Sequence, residues 1–134
     1  MGIAALITWL VTAVGGFVML GMWIARGGHK PGSRSRLAPG LVFGHFGLAV
    51  VGLVLWIGYL VTGNTTLAWV AFGALLPVAL LGFTMFARWL PTVRQRTGTA
   101  ESRFPIPVVI AHGLFAATTL VLVLLAALRA GGKA

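Results

Sequence analysis

Residues 39–59 read PGLVFGHFGLAVVGLVLWIGY, an apolar run that is long enough to cross a lipid bilayer. An α-helix needs about 20 consecutive apolar residues to cross roughly 30 Å of hydrocarbon. Pro39 suits the first turn of such a helix, because an N–H at that position would have no intrahelical partner. The run carries one histidine, His45. Ionisable side chains inside membrane spans are costly and usually functional, so His45 is the first candidate for a functional residue.

Three further runs reach the same length, and the sequence therefore predicts four membrane-spanning helices in a single domain, residues 1–134. The predicted spans cover about 3–25, 39–61, 67–90 and 105–128. Hydrophobic residues make up 59% of the chain and charged residues 8%, whereas soluble domains have roughly 25% charged residues. This composition predicts an all-α integral membrane protein and excludes a soluble domain.

Basic residues outnumber acidic residues by ten to one, and eight of the ten lie in or beside the loops after the first and third spans. These eight are Arg26, Lys30, Arg34, Arg36, Arg88, Arg94, Arg96 and Arg103, with Arg129 and Lys133 on the opposite side. The positive-inside rule places both basic loops in the cytoplasm and both termini outside. We expect an antiparallel up-down four-helix bundle, N-out/C-out, in a bacterial cytoplasmic (inner) membrane, in contact with anionic lipid headgroups and without a nucleic-acid partner.

The residue types of the chain exclude several kinds of chemistry. The absence of cysteine excludes disulfides, thiolate metal sites and ligation of iron–sulfur clusters by this chain. The sequence offers no Ser/His/Asp set and no phosphate-binding loop, and we expect no buried carboxylate, since Glu101 is the only acid. We therefore predict no catalytic residues, and an electron-transfer protein fits better than an enzyme.

The fourth span carries a second histidine, His112, in an arrangement similar to that of His45. His45 follows Pro39 by six residues and His112 follows Pro105 by seven. At about 1.5 Å per residue both histidines lie roughly 9–10 Å along their helices, so they share a depth. In an up-down bundle the second and fourth helices face each other across the core. A faint internal repeat, GMWIAR at 21–26 and GFTMFAR at 82–88, supports the idea of a duplicated hairpin.

Small side chains flank both histidines. Ala49 and Ala116 follow them by four residues, and this spacing keeps residues on one helix face. Gly52 and Phe115 are expected on the same two faces. Space beside two imidazoles suits a planar macrocycle, and two neutral imidazoles are a common axial pair for b-type haem. The haem propionates would then pair with basic residues at the cytoplasmic rim, with Arg34, Arg36 and Arg103 as candidates.

Two other interpretations of the histidine pair stay open. The pair could form a haem-free quinone or proton site, or it could be structural, with each imidazole bonded to a carbonyl of another helix. His29 lies in the first basic loop, where a solvated histidine is the simpler interpretation. Gly40 and Gly44 form a GxxxG pair beside His45, which is typical of a helix-packing face.

The segments GHFGLA (44–49) and AHGLFA (111–116), within four spans, resemble small membrane cytochromes b, including the haem-bearing anchors of quinone-linked dehydrogenases. The resemblance implies that His45 and His112 are the axial ligands of one low-spin haem b. It also implies one-electron transfer near the cytoplasmic face with quinone or a protein partner. The di-haem members have a second histidine pair on the opposite side of the membrane. This sequence lacks that pair, so electron transfer across the whole bilayer is not expected.

The alternative function is a haem-free subunit or assembly factor of a larger membrane (respiratory) complex. A homo-oligomer or a larger complex would be compatible with either function. A haem sensor or haem carrier would use the same two ligands, and the sequence does not separate these roles from electron transfer. A transporter or channel is least expected, because the spans offer almost no polar path.

Overall fold

The computed structural model describes residues 1–132, and four long helices contain most of them. The helices are α1 (Gly2–Ala25), α2 (Pro39–Thr62), α3 (Thr65–Arg94) and α4 (Ile106–Gly131), with a short 3₁₀ helix at Ala100–Arg103. Each of the four is long and apolar enough to cross a membrane. The prediction of an all-helical chain with four such segments is confirmed, and a multi-pass membrane protein follows from it. Lys133 and Ala134 lie outside the described residues.

A tight turn joins α2 to α3. Gly63 has a positive φ of 70°, a left-handed conformation that glycine adopts without strain, and its N–H donates to the carbonyl of Tyr59. Asn64 then caps α3, because its side-chain oxygen accepts the N–H of Thr66 at 2.9 Å. The two helices therefore form a hairpin with almost no loop.

Helix α3 extends further than the sequence predicts, from the expected end near residue 90 to Arg94. Proline at position 91 removes one helical N–H, but its carbonyl still accepts the N–H of Gln95 at 2.9 Å. The buried Thr92 hydroxyl donates to the carbonyl of Trp89 at 2.6 Å. The second basic loop therefore begins at Gln95 rather than at Pro91.

The helices pack as two close pairs, α2 with α3 and α1 with α4. Contacts between α3 and α4 join the two pairs on one side, and a shorter contact between α1 and α2 joins them on the other. Among the described residues, α2 and α4 make no close backbone approach. Any side chains that meet between α2 and α4 must therefore span the space between the two pairs.

Two aromatic clusters fill the interior. Trp9 and Trp56 belong to the first cluster, where the indole N–H of Trp56 donates to the carbonyl of Gly2 at 3.2 Å. Trp23 and Trp89 belong to the second, with Leu37, Val42 and Phe104. Along α2, His45 follows Val42 of the second cluster and precedes Trp56 of the first. Large apolar side chains also cover the outer surface, as expected of helices that contact lipid.

Candidate functional site

The structure brings His45 of α2 and His112 of α4 together. Their ring centroids are 6.2 Å apart, and the ring planes are inclined by 58°. The two helices that carry the rings do not pack against each other. The imidazoles therefore occupy the space between the α2/α3 pair and the α1/α4 pair, and each of these close pairs provides one of them.

A backbone carbonyl of the neighbouring helix holds each imidazole. The Nδ1 of His45 lies 2.9 Å from the carbonyl oxygen of Val78, and the Nδ1 of His112 lies 2.8 Å from that of Thr12. A carbonyl oxygen only accepts, so Nδ1 of each ring carries the proton and donates it. In the neutral ring Nε2 is then unprotonated, with a lone pair for another partner. This is the bond that the structural interpretation of the pair expects. Metal-binding histidines are oriented by the same kind of bond, from the nitrogen that does not ligate, so both interpretations stay open.

Two glycines allow the imidazoles to lie against the neighbouring backbones. A Cβ on Gly16 of α1 would lie 3.2 Å from Cε1 of His112, and a Cβ on Gly82 of α3 would lie 3.2 Å from Cε1 of His45. Any larger side chain would displace the ring. Neither glycine was identified from the sequence as a neighbour of the histidines.

The internal repeat has a different register from the one expected. The expected alignment set 21–26 against 82–88. In the structure Gly16 and Gly82 lie against equivalent imidazoles, and Thr12 and Val78 accept equivalent hydrogen bonds. Both equivalences correspond to an offset of 66 residues (82 − 16 and 78 − 12). In this register GFVMLGMW (16–23) aligns with GFTMFARW (82–89). The alignment then shifts by one residue, since His112 follows His45 by 67. A comparison at this offset would have identified Gly82.

The other residues expected around the histidine pair lie in different environments. Ala49 and Ala116 are half-buried on the histidine-bearing helices. Gly52 is buried against Trp9, where a Cβ would lie 3.1 Å from the indole ring, so it belongs to the first aromatic cluster. Phe115 keeps 39% of its surface exposed, and it therefore contributes to the outer surface.

The three arginines expected to meet the propionates, Arg34, Arg36 and Arg103, are all exposed. The guanidinium of Arg36 donates to the side-chain oxygen of Gln95 at 3.4 Å, and the Arg36 carbonyl accepts from Arg88 at 3.3 Å. Arg103 lines a surface cleft together with Arg26. The arginines therefore lie in the segments between the helices.

The expectation of no buried carboxylate is wrong, because Glu101 has no exposed surface. One of its carboxylate oxygens accepts from the Ser35 hydroxyl at 2.8 Å, and the other accepts the backbone N–H of Arg36 at 2.7 Å. The same hydroxyl group accepts the indole N–H of Trp23 at 2.9 Å. The carboxylate thereby joins the two basic loops. The sequence signal for this role was that Glu101 is the single acid among many basic residues. Its partners Ser35 and Arg36 could not be inferred, because they are distant from it in the chain.

The histidine pair offers two imidazoles and no further metal-binding side chain beside them among the described residues. Within residues 1–132 there is no group of three or more His, Cys, Asp or Glu side chains that could hold a metal. A structural zinc ion takes four protein ligands, whereas haem brings its own equatorial nitrogens and takes only axial ligands from the protein. His45 and His112 would be the residues to hold such a group. Their centroid distance of 6.2 Å also lies in the range of ordinary contacts between aromatic rings.

Comparisons of this chain with protein-family models, with curated proteins and with solved structures found no match. The function must therefore be inferred from the residues and their geometry.

Proposed function

We propose that this chain is a membrane b-type cytochrome that binds one haem between His45 and His112 and transfers single electrons. The observation that carries the proposal is the matched pair of imidazoles, each donating from Nδ1 to a carbonyl of the neighbouring helix, with centroids 6.2 Å apart. Both Nε2 atoms are then unprotonated and suited to ligate iron.

We further propose an antiparallel up-down bundle with both termini outside a bacterial cytoplasmic membrane. Trp56 near the end of α2 bonds to Gly2 at the start of α1, which supports opposite directions for these two helices. The network of Ser35 and Glu101 joins the loop before α2 to the segment before α4. These two basic segments lie at the same end of the molecule, where α2 starts. We propose that this end faces the cytoplasm, as the positive-inside rule predicts.

Haem, when bound, supplies a one-electron couple of its iron, and the protein groups around it tune that couple. The carbonyls of Val78 and Thr12 fix the imidazole orientation and raise the basicity of the ligating nitrogens. If His45 and His112 both hold the iron, no coordination position would remain open for oxygen. The electron partner in this proposal is quinone or a redox protein at the cytoplasmic face. The residues that pair with the haem propionates are Arg34, Arg36 and Arg103.

The test is the visible absorption spectrum of the purified full chain, oxidised and dithionite-reduced, after expression with added haem. We expect a sharp reduced α-band and a shifted Soret band that are lost in His45→Ala and in His112→Ala. His29→Ala is the matched control, since it removes the third histidine of the chain, which lies in a loop. This control should keep the wild-type spectrum.

A colourless wild-type protein would overturn the cytochrome assignment and favour the alternative, a haem-free subunit or assembly factor of a larger membrane complex. An unchanged spectrum in either histidine variant would show that the haem is held elsewhere. Low-spin electron paramagnetic resonance of the oxidised protein provides an independent check, because two imidazole ligands give a low-spin ferric centre.

A further inference from the structure

A cleft of about 320 Å³ lies between the end of α1 and the segment that precedes α4. Arg26, which directly follows α1, and Arg103, the last residue of the 3₁₀ helix, line it. The remaining lining residues are small, namely Gly98, Thr99 and Ala100. Both arginine side chains are exposed. Two guanidinium groups therefore share one concave site that no bulky side chain fills.

Among the described residues, no carboxylate neutralises these two arginines. Glu101 is the only acidic residue in the sequence, and both oxygens of its carboxylate are engaged by Ser35 and by the backbone of Arg36. The cleft therefore keeps two positive charges, and it lies at the end of the molecule that carries most of the other basic residues. The planar fork of arginine matches phosphate oxygens in a bidentate manner, so a phosphate group is the anion that suits the site.

The position of the cleft favours the phosphate of a lipid headgroup. Arg26 comes immediately after an apolar helix of spanning length, which places it at the depth of the headgroups in a membrane. Ile24 and Ile106, close in sequence to the two arginines, expose 39% and 51% of their surfaces. These side chains do not line the cleft, but they provide exposed apolar surface for acyl chains at the adjoining ends of α1 and α4. Basic pockets next to membrane helices are a recognised type of site for anionic headgroups.

We propose that this cleft binds a phosphate group through Arg26 and Arg103, and that the phosphate belongs to an anionic phospholipid such as phosphatidylglycerol. The site is distinct from the histidine pair, but it shares Arg103 with the proposed propionate contacts, so lipid binding is measured on protein prepared without added haem.

The experiment measures the melting temperature of the detergent-purified full chain during titration with phosphatidylglycerol, phosphatidylcholine or inorganic phosphate. The test variant is Arg26→Gln/Arg103→Gln. The matched control is Lys30→Gln/Arg94→Gln, which removes the same charge from two exposed residues that do not line the cleft. We expect phosphatidylglycerol to stabilise the wild type and the control, and the test variant to need about tenfold more lipid for the same shift. Native mass spectrometry should show that the wild type and the control retain more phosphatidylglycerol than the test variant does.

Equal weakening of phosphatidylglycerol binding in the two double variants would overturn the proposal, because it would indicate a diffuse basic surface. Stabilisation of the wild type by phosphatidylcholine to the same extent would overturn it as well. An effect of inorganic phosphate alone that the test variant loses would support the phosphate site and assign it to a soluble phosphate compound. If the test variant fails to fold, Arg26→Lys/Arg103→Lys keeps the charge and removes the bidentate geometry, and it should bind with intermediate affinity.

Discussion

Trp23 and Trp89 make equivalent hydrogen bonds in the two halves of the chain. The indole N–H of Trp23 donates to the hydroxyl of Ser35 at 2.9 Å, and that of Trp89 donates to the carbonyl of Glu101 at 3.0 Å. In both cases the acceptor lies 12 residues further along the chain. The side chains of Ser35 and Glu101 then bond to each other. The two halves of the chain, α1 with α2 and α3 with α4, are thus joined through equivalent points, as expected of a duplicated unit.

Substitution of Glu101 should destabilise the fold without altering the membrane-spanning helices. Glu101→Ala removes the acceptor of the Arg36 N–H and leaves the Ser35 hydroxyl only its longer contact of 3.3 Å to the Leu37 carbonyl. Hydrogen bonds to a charged group contribute about 1.5–3 kcal/mol each. Glu101→Gln keeps one acceptor oxygen and should cost less. The measurement is thermal unfolding in detergent, followed by intrinsic fluorescence.

Ser102→Ala is the control for Glu101, because the Ser102 hydroxyl bonds only to the nearby carbonyl of Thr99. It should unfold close to the wild-type temperature. A melting temperature of Glu101→Ala that equals that of the control would refute a joining role for the carboxylate.

Alanine at Gly16 or Gly82 should disturb the histidine pair. The new Cβ would lie 3.2 Å from an imidazole carbon in each case, so the ring must move away from its carbonyl or the helices must separate. With the proposed haem bound, we expect lower haem retention and a changed low-spin resonance spectrum, together with a loss of stability of about 1–3 kcal/mol from overpacking. Haem content per chain and the melting temperature provide the two readouts.

The matched controls for these glycine substitutions lie on the same two helices. A Cβ on Gly21 of α1 or on Gly73 of α3 would meet nothing within 4 Å. Gly21→Ala and Gly73→Ala should therefore keep their haem and gain up to about 1 kcal/mol from helix propensity. Equal haem loss in all four variants would mean that α1 and α3 do not position the imidazoles through these contacts.

Gly52→Ala should weaken the packing between α2 and α1. Its Cβ would lie 3.1 Å from the Trp9 ring and 3.6 Å from Cβ of Ala74, and a buried indole cannot withdraw into solvent. We expect a cost of about 1–3 kcal/mol, seen as a lower melting temperature. Gly47→Ala on the same helix meets no neighbour within 4 Å and should be neutral or stabilising. If Gly52→Ala proves as stable as Gly47→Ala, the close approach of Trp9 to this helix is incorrect.

The proposed orientation can be tested by thiol labelling, because the chain has no native cysteine. Pro31→Cys places one thiol in the first basic loop, and Thr66→Cys places one at the α2–α3 turn, both at exposed positions. With both termini outside, a membrane-impermeant maleimide should label Thr66→Cys in intact cells and Pro31→Cys only after permeabilisation. The opposite pattern would show that the basic loops face outward.

The four helices could be predicted from the sequence because spanning length and apolar composition are local properties. The partners of the imidazoles could not, because the carbonyls of Val78 and Thr12 are backbone groups and carry no sequence signature. The burial of Glu101 depends on how two loops meet after the helices have packed. The sequence singled out the two histidines because each is an ionisable side chain inside an apolar run, and the structure brings their rings to a centroid distance of 6.2 Å; their role stays a prediction.

Each imidazole is oriented by the opposite half of the chain. His45 belongs to the first half (α1 and α2) and bonds to Val78 of the second (α3 and α4), whereas His112 belongs to the second half and bonds to Thr12 of the first. Neither half alone therefore supplies the carbonyl that orients its own histidine. If the two halves were produced as separate chains, the oriented pair would arise only on their association. With the proposed haem bound, the colour of the mixture would then measure the association of the two halves directly.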